Sequence, residues 1–343
     1  MASPLRGGLI GCGFFAANHL HAWREVAGAE IVALCDSNPA RLHATGDAFG
    51  IAARHADAAA MLAVERLDFV DIATTVPSHR PLVELAARHH VPMICQKPFA
   101  ADLVDAVAMT DAATAAGVPL MVHENFRWQT PLRAVRQAID AGRIGTPFWG
   151  RISFRSAYDV FAGQPYLAQG ERFIIEDLGI HLLDLARFLF GEAVQITAHT
   201  RRVNPAIRGE DVATILLGHA GGVTSVVDCS YATRLAREPF PETLVEIDGS
   251  AGTLRLAQDY RLTIVDAGGA ATSDVAPALR PWASRPWHNI QESVLNIQRH
   301  WAECLRTGGM PETSGSDNLR TLALVQAAYE SAVAGRTVIP PSF

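Results

Sequence analysis

Between residues 6 and 124, short apolar strands alternate with alanine-rich helices, and this alternation restricts the fold more than any other feature. The strand-like runs are RGGLIGCG, EIVALCD, FVDIATT, PMICQK and PLMVHEN. The helical ones are AANHLHAWREV, PARLHATGDAF, HRPLVELAARHH and LVDAVAMTDAATAAG. Strands apolar on both faces need cover on both, so joining them by helices implies a doubly wound parallel sheet. Pro39 and Pro81 near helix starts and Gly117 after a helix end suit that punctuation.

After Phe126 the pattern changes. A helix, PLRAVRQAIDAG, leads into FWGRISFR, VQITAHTRRV, DVATILLG, VTSVVDCSY, ETLVEIDG and GTLRLAQ. Their alternation predicts a large, mainly antiparallel open sheet with one face packed and one less covered. One helix, about 176–190, is stopped by Gly191. A last one, about 317–335, presents Leu319, Leu322, Val325 and Tyr329 at helical spacing. The expected fold class is α/β, with a doubly wound domain over 1–124 and an α+β domain over 125–343 whose last helix packs back on the first.

A chain of 343 residues suits two such domains. With a formal net charge of −6 and no basic run longer than Arg201-Arg202, neither a nucleic-acid partner nor a membrane surface is expected. Cysteines 12, 35, 95, 229 and 304 are scattered and form no C-x-x-C pair, so no disulfide framework and no metal site are expected. Neither a signal-peptide pattern nor a membrane-length apolar run is present, and a cytoplasmic protein is the simplest reading.

The first strand–turn–helix carries Gly11-Cys12-Gly13-Phe14-Phe15-Ala16, a G-x-G-x-x-A pattern opening a helix. In a Rossmann domain Gly11 permits the tight turn, Gly13 lets backbone approach a pyrophosphate, and Ala16 keeps the helix close to its strand. Asp36 ends the second strand, 23 residues beyond Gly13, where a carboxylate accepts ribose hydroxyls and repels a 2′-phosphate. That predicts NAD, while Ser37 and Arg41 leave NADP possible. Thr74, Thr75, Pro77 and His79, at the next carboxyl edge, are candidates to line the cofactor cleft. For His79 a plain helix-entry role competes.

Two further groups carry chemistry. Lys97 ends an apolar strand between Gln96 and Pro98, either as a solvated turn lysine or as a positioned cation. In EDLGIHLLDLARFLFG, Asp177 and His181 are four apart and share a helical face, with Asp184 following. A capping Asp and a core His would give the same spacing. Gly179 between them would leave room for a planar ring.

GCGFFA, TTVPSH, QKP, ENFRWQTPLRAVRQAIDAGRIG and DLGIHLLD together resemble the Gfo/Idh/MocA family of NAD(P)-dependent oxidoreductases, over essentially the whole chain. That resemblance implies a sugar or cyclitol dehydrogenase in which Lys97 is the catalytic-site cation and Asp177 and His181 complete the catalytic group. It also places Gln96, Arg127 and Trp128 at the cofactor. The family usually has Glu where this chain has Gln96. Asn125, Arg155, Tyr158, Phe173, Trp287 and His288 are candidate substrate contacts, offering aromatic faces and hydrogen-bonding groups. FRSAYDV and QPYLAQGERFIIEDLG are similar to sugar dehydrogenases, among them those acting on apiose-like pentoses.

Oxidation of a CH–OH group needs a base for the hydroxyl proton while hydride leaves the carbon for the nicotinamide, and His181 suits that base near neutral pH. An NAD-dependent glycoside hydrolase of the same family and a non-catalytic cofactor-binding regulator are the alternatives. The less covered sheet face predicts a homodimer or homotetramer.

Overall fold

The structure, a computed structural model, describes residues 3–343. It divides into two compact units. The first holds the chain through Asn125, with Gln291–Leu319 and Phe343; the second holds Phe126–Ile290 and Arg320–Ser342.

In the first unit β1 (Leu5–Ile10), α1 (Ala16–Trp23), β2 (Ala29–Cys35), α2 (Pro39–Phe49), β3 (Ala53–His55), α3 (Ala58–Val64), β4 (Phe69–Ile72), α4 (His79–Arg88), β5 (Met93–Gln96), α5 (Leu103–Ala116) and β6 (Leu120–His123) follow one another. The six strands pair in the order β3-β2-β1-β4-β5-β6, all parallel. The order reverses between β1 and β4, the place where doubly wound sheets open a crevice at their carboxyl ends. Side chains fix the helix starts: Asn38, Asp57 and Asp102 each accept a backbone N–H three residues on. Gly50 and Gly117 end α2 and α5 in the left-handed conformation. Leu9, Leu34, Ile72, Ile94 and Val122 are fully buried, as strands covered on both faces require.

The second unit contributes α6 (Thr130–Asp140), β7 (Pro147–Arg155), α7 (Ile180–Phe190), β8 (Ala193–Arg201), β9 (Val212–His219), β10 (Thr224–Ser230), β11 (Leu244–Gly249), β12 (Gly252–Ala257), β13 (Arg261–Asp266) and β14 (Gly269–Asp274). Its eight strands run β14-β13-β12-β11-β7-β10-β9-β8, antiparallel except for the parallel β7–β10 pair. The central strand sorts its side chains by parity. Ile152 and Phe154 are buried beside α7, and a Cβ at Gly150 would come 2.2 Å from the Phe190 ring. Arg151 and Arg155 stand on the other face and pair with Asp228 of β10. That face carries a ladder of ion pairs continuing through Arg255–Asp248.

Two long helices close the chain, α8 (His288–Thr307) and α9 (Gly315–Ala334). The sequence-based boundary needs one correction, because residues 291–319 belong with the first unit. The reason is packing along α8: Gln291 donates to Asn18, Gln298 to the His19 carbonyl and Arg306 to the Ala27 carbonyl, while Trp301 is fully buried. Among the described residues, no helix is long and apolar enough to cross a membrane.

Candidate active site

In the first unit, the glycine turn leaves β1 at Gly11, where φ is +102° and an added Cβ would sit 2.6 Å from the Ala73 carbonyl oxygen. Gly13, by contrast, faces open space: an added Cβ meets nothing within 4 Å. Phe14 is exposed and Phe15 lies at the start of α1, where no side chain caps the helix. This is the form a dinucleotide pyrophosphate needs, a tight turn with open backbone at Gly13 and a helix N-terminus above it. Asp36 meets the turn, accepting the Cys12 N–H at 2.7 Å and the Asn38 N–H at 2.7 Å. Ser37 and Arg41 are exposed beside it.

Thr74, Thr75 and Pro77 follow β4, with Ser78 donating to the Thr74 hydroxyl and the Thr75 carbonyl. His79 does not line a cleft. It is fully buried, its Nδ1 lies 3.1 Å from the Phe99 carbonyl and its Nε2 3.1 Å from the Thr74 carbonyl, and burial lowers its pKa. It ties the two loops after β4 and β5 together, which is the helix-entry alternative.

Gln96 and Lys97 end β5, partly buried, with a cis Lys97–Pro98 peptide. The Gln96 amide accepts the Lys97 N–H at 2.7 Å and reaches His19 Nε2 at 3.1 Å. His19 Nδ1 is 2.8 Å from Asp71, which also accepts the Trp23 indole N–H at 2.7 Å. Burial pushes the Asp71 carboxyl up, but His19, His123 and Trp23 outweigh it and hold it below the usual carboxylate range. This cluster escapes a motif reading. Its signal is an acid inside the buried FVDI strand, which demands partners. Asn125 is buried and donates to Ser293 at 2.6 Å.

In the second unit, Asp177 lies in a π-helical turn, Ile175–Gly179, that runs straight into α7. Such turns recur at functional positions. Glu210 anchors its start: the carboxylate accepts the Phe173 and Ile175 N–H groups and the Tyr329 hydroxyl, the last at 2.7 Å. The protein atoms nearest to a Cβ added at Gly179 belong to Ile174 and Ile175 of its own turn, at 3.4 Å or more, which is ordinary contact. His181 is buried and stacks on Phe126 at 3.8 Å between centroids and 5° between planes, which fixes the plane of the imidazole. Asp177 is partly exposed, and its charge helps burial push the Tyr231 and Tyr166 phenols up.

Four expected contact residues are placed differently. Phe173 is a core side chain, stacked on Tyr231 and tilted against Phe161. Arg155 projects from the face of β7 opposite Phe154 and α7, because neighbouring strand residues point opposite ways. Arg127 is buried and grips Asp184 with two guanidinium nitrogens, a pair completed by Thr321. Trp128 is buried under the Arg133 guanidinium, 3.8 Å from the ring centroid. Tyr158 and Trp287 do come together, around Phe240, at 3.9 Å and 5.0 Å between ring centroids. His288 is buried edge-on to Tyr260. Among the described residues, no cluster of three or more His, Cys, Asp or Glu could hold a metal ion.

Residues 5–124 match the model of the oxidoreductase family with an NAD-binding Rossmann fold, and residues 132–255 match the GFO/IDH/MocA C-terminal domain. A D-apiose dehydrogenase from Paraburkholderia graminis is 67% identical over 333 residues, 97% of this chain and 89% of that protein. One from Rhizobium rhizogenes is 64% identical over 98% of this chain and 97% of its own. The crystal structure of an oxidoreductase from Agrobacterium radiobacter in complex with NAD+, L-tartaric acid and magnesium superposes with a TM-score of 0.97, at 64% identity and 98% coverage of both chains. Together the two matched models and these relatives make the chain a member of the Gfo/Idh/MocA oxidoreductases, with an NAD-binding Rossmann domain.

Proposed function

We propose that this chain is an NAD-dependent dehydrogenase of D-apiose or a closely similar pentose. The observation that carries the reading is 67% identity to a D-apiose dehydrogenase across 97% of the chain. Bound NAD would lie along the Gly11–Phe15 turn with its ribose at Asp36, and it supplies the hydride acceptor. The chain's own residues then handle the proton. His181, held flat against Phe126, takes the hydroxyl proton; Asp177, one turn earlier, orients the substrate hydroxyl; Lys97 offsets negative charge developing on the alcohol oxygen. Tyr158 and Trp287 offer aromatic surface and hydrogen-bonding edges suited to a sugar.

The test is a panel of D-apiose, other pentoses, aldoses and myo-inositol, assayed with NAD and NADP separately. D-apiose with NAD is expected to give the highest kcat/KM, and a clear preference for a cyclitol or for NADP would refute the assignment. The charged open face of the second sheet supports a homodimer or homotetramer, for which a monomer across a wide concentration range in sedimentation would be decisive against. Five separate buried thiols suit a reducing cytoplasm.

A further inference from the structure

The polarity of the hydrogen bonds beneath Lys97 fixes a protonation state. Gln96 has one acceptor and one donor end, and both are engaged: its oxygen takes the Lys97 backbone N–H at 2.7 Å, and its nitrogen lies 3.1 Å from His19 Nε2. Turning the amide over would set its NH2 against the Lys97 N–H, donor to donor. The amide nitrogen therefore faces His19, and His19 Nε2 must accept. The ring proton then sits on Nδ1, where it is donated to Asp71 at 2.8 Å. His19 and Asp71 are both fully buried, so water cannot substitute for a mismatched partner.

We infer that Asp71, His19 and Gln96 form a one-way donor chain, running from the Lys97 N–H to the Asp71 carboxylate, in which His19 is neutral and Gln96 is a positioning residue for Lys97. The titratable groups packed on His19 are Asp71 from β4 and His123 from β6, whose ring stacks at 4.4 Å; Cys95 of β5 lies in the field of Asp71. Phe15 covers the ring edge-on, and the Trp23 indole supplies the second donor to Asp71. A glutamate at position 96 would keep its bond to the Lys97 N–H but could only accept from His19. The ring would then donate from both nitrogens as imidazolium, between two carboxylates. Gln96 versus Glu is in this way a choice of charge on a buried histidine with the geometry of Lys97 retained.

The positioning claim rests on the role proposed above for Lys97, whereas the His19 claim does not. In protein labelled with [15N]histidine, long-range proton–nitrogen spectra at pH 7 are expected to show His19, assigned by its loss in His19→Gln, with one protonated and one bare ring nitrogen. In Gln96→Glu both nitrogens are expected to be protonated. Gln96→Leu, which removes both bonds, is expected to lower kcat about tenfold or more with the KM for NAD little changed. A doubly protonated His19 in the wild type would overturn the donor chain, and a wild-type kcat in Gln96→Leu would overturn the positioning role. If Lys97→Met keeps normal turnover, the role of Lys97 falls and the positioning claim with it, while the spectrum still decides the state of His19.

Discussion

Alanine at Gly11 and alanine at Gly13 are expected to fail in opposite ways. At Gly11 the backbone φ of +102° is disfavoured for an L-residue. That conformation costs about 1–2 kcal/mol. The new methyl would also stand 2.6 Å from the Ala73 carbonyl oxygen, a backbone atom that cannot swing aside. Such overpacking adds about 1–3 kcal/mol, for a total of about 2–5 kcal/mol lost. Gly13 lies outside the positive-φ region and its methyl meets nothing within 4 Å, so the fold has no reason to object. Its stability is expected to stay within about 1 kcal/mol, tending upward because alanine narrows the unfolded ensemble. The open space is where the pyrophosphate would lie against the backbone, and filling it is expected to raise the NAD Kd at least about tenfold, about 1.4 kcal/mol. Urea unfolding and calorimetric titration with NAD, run on both variants, separate the two effects. Wild-type NAD affinity in Gly13→Ala would refute the placement of the dinucleotide, and wild-type stability in Gly11→Ala would refute the steric argument.

Lys97→Met is expected to keep NAD binding and lose turnover by orders of magnitude, as read by calorimetry and initial rates. With His181 as base, oxidation needs a neutral imidazole, so the rate is expected to rise with pH along an acidic limb that disappears in His181→Asn together with most activity. Asp71 has a folded-state pKa below its unfolded one. It therefore contributes stability fully present above the ordinary carboxylate pKa, lost as pH falls through the folded value. The stability gap between wild type and Asp71→Asn in urea is thus expected to be widest near neutrality and to close under acid, and a gap independent of pH would contradict the charge assignment.

The two-sheet plan was legible because periodicity reports burial directly: β1, β4 and β5 are short, mostly apolar runs without alternation, and β7 alternates. Elements that bury little left no such trace. β3 has three residues and β14 is exposed throughout, so neither carries a pattern to read. Helix α8 was missed for a different reason. It is buried almost all round yet rich in Asn, Gln and His, although Ile290, Val294, Ile297 and Trp301 keep a helical spacing that could have revealed it. At the site, Lys97, Asp177 and His181 stand in motifs that can be read from the sequence, whereas Phe173, Arg127 and Arg155, expected at a ligand, are held by protein partners. Residue type alone cannot say whether an aromatic ring or a guanidinium meets a ligand, the core or the opposite face of a sheet. The partners that decide this, Tyr231, Asp184 and Asp228, are distant in sequence.

The return of α8 to the first unit has a consequence for how this protein is made. A ribosome delivers the six parallel strands early, but His19 and Asn18 on α1 receive Gln298 and Gln291 only after some 270 further residues have emerged, the separations being 279 and 273. Trp301 has nowhere to bury itself until then. Contacts spanning most of the chain form late, since the loop must be closed before it is rewarded. The nucleotide-binding sheet is therefore expected to remain unfinished on the ribosome until α8 has emerged, and a fragment ending at residue 124 would be an open half rather than a domain.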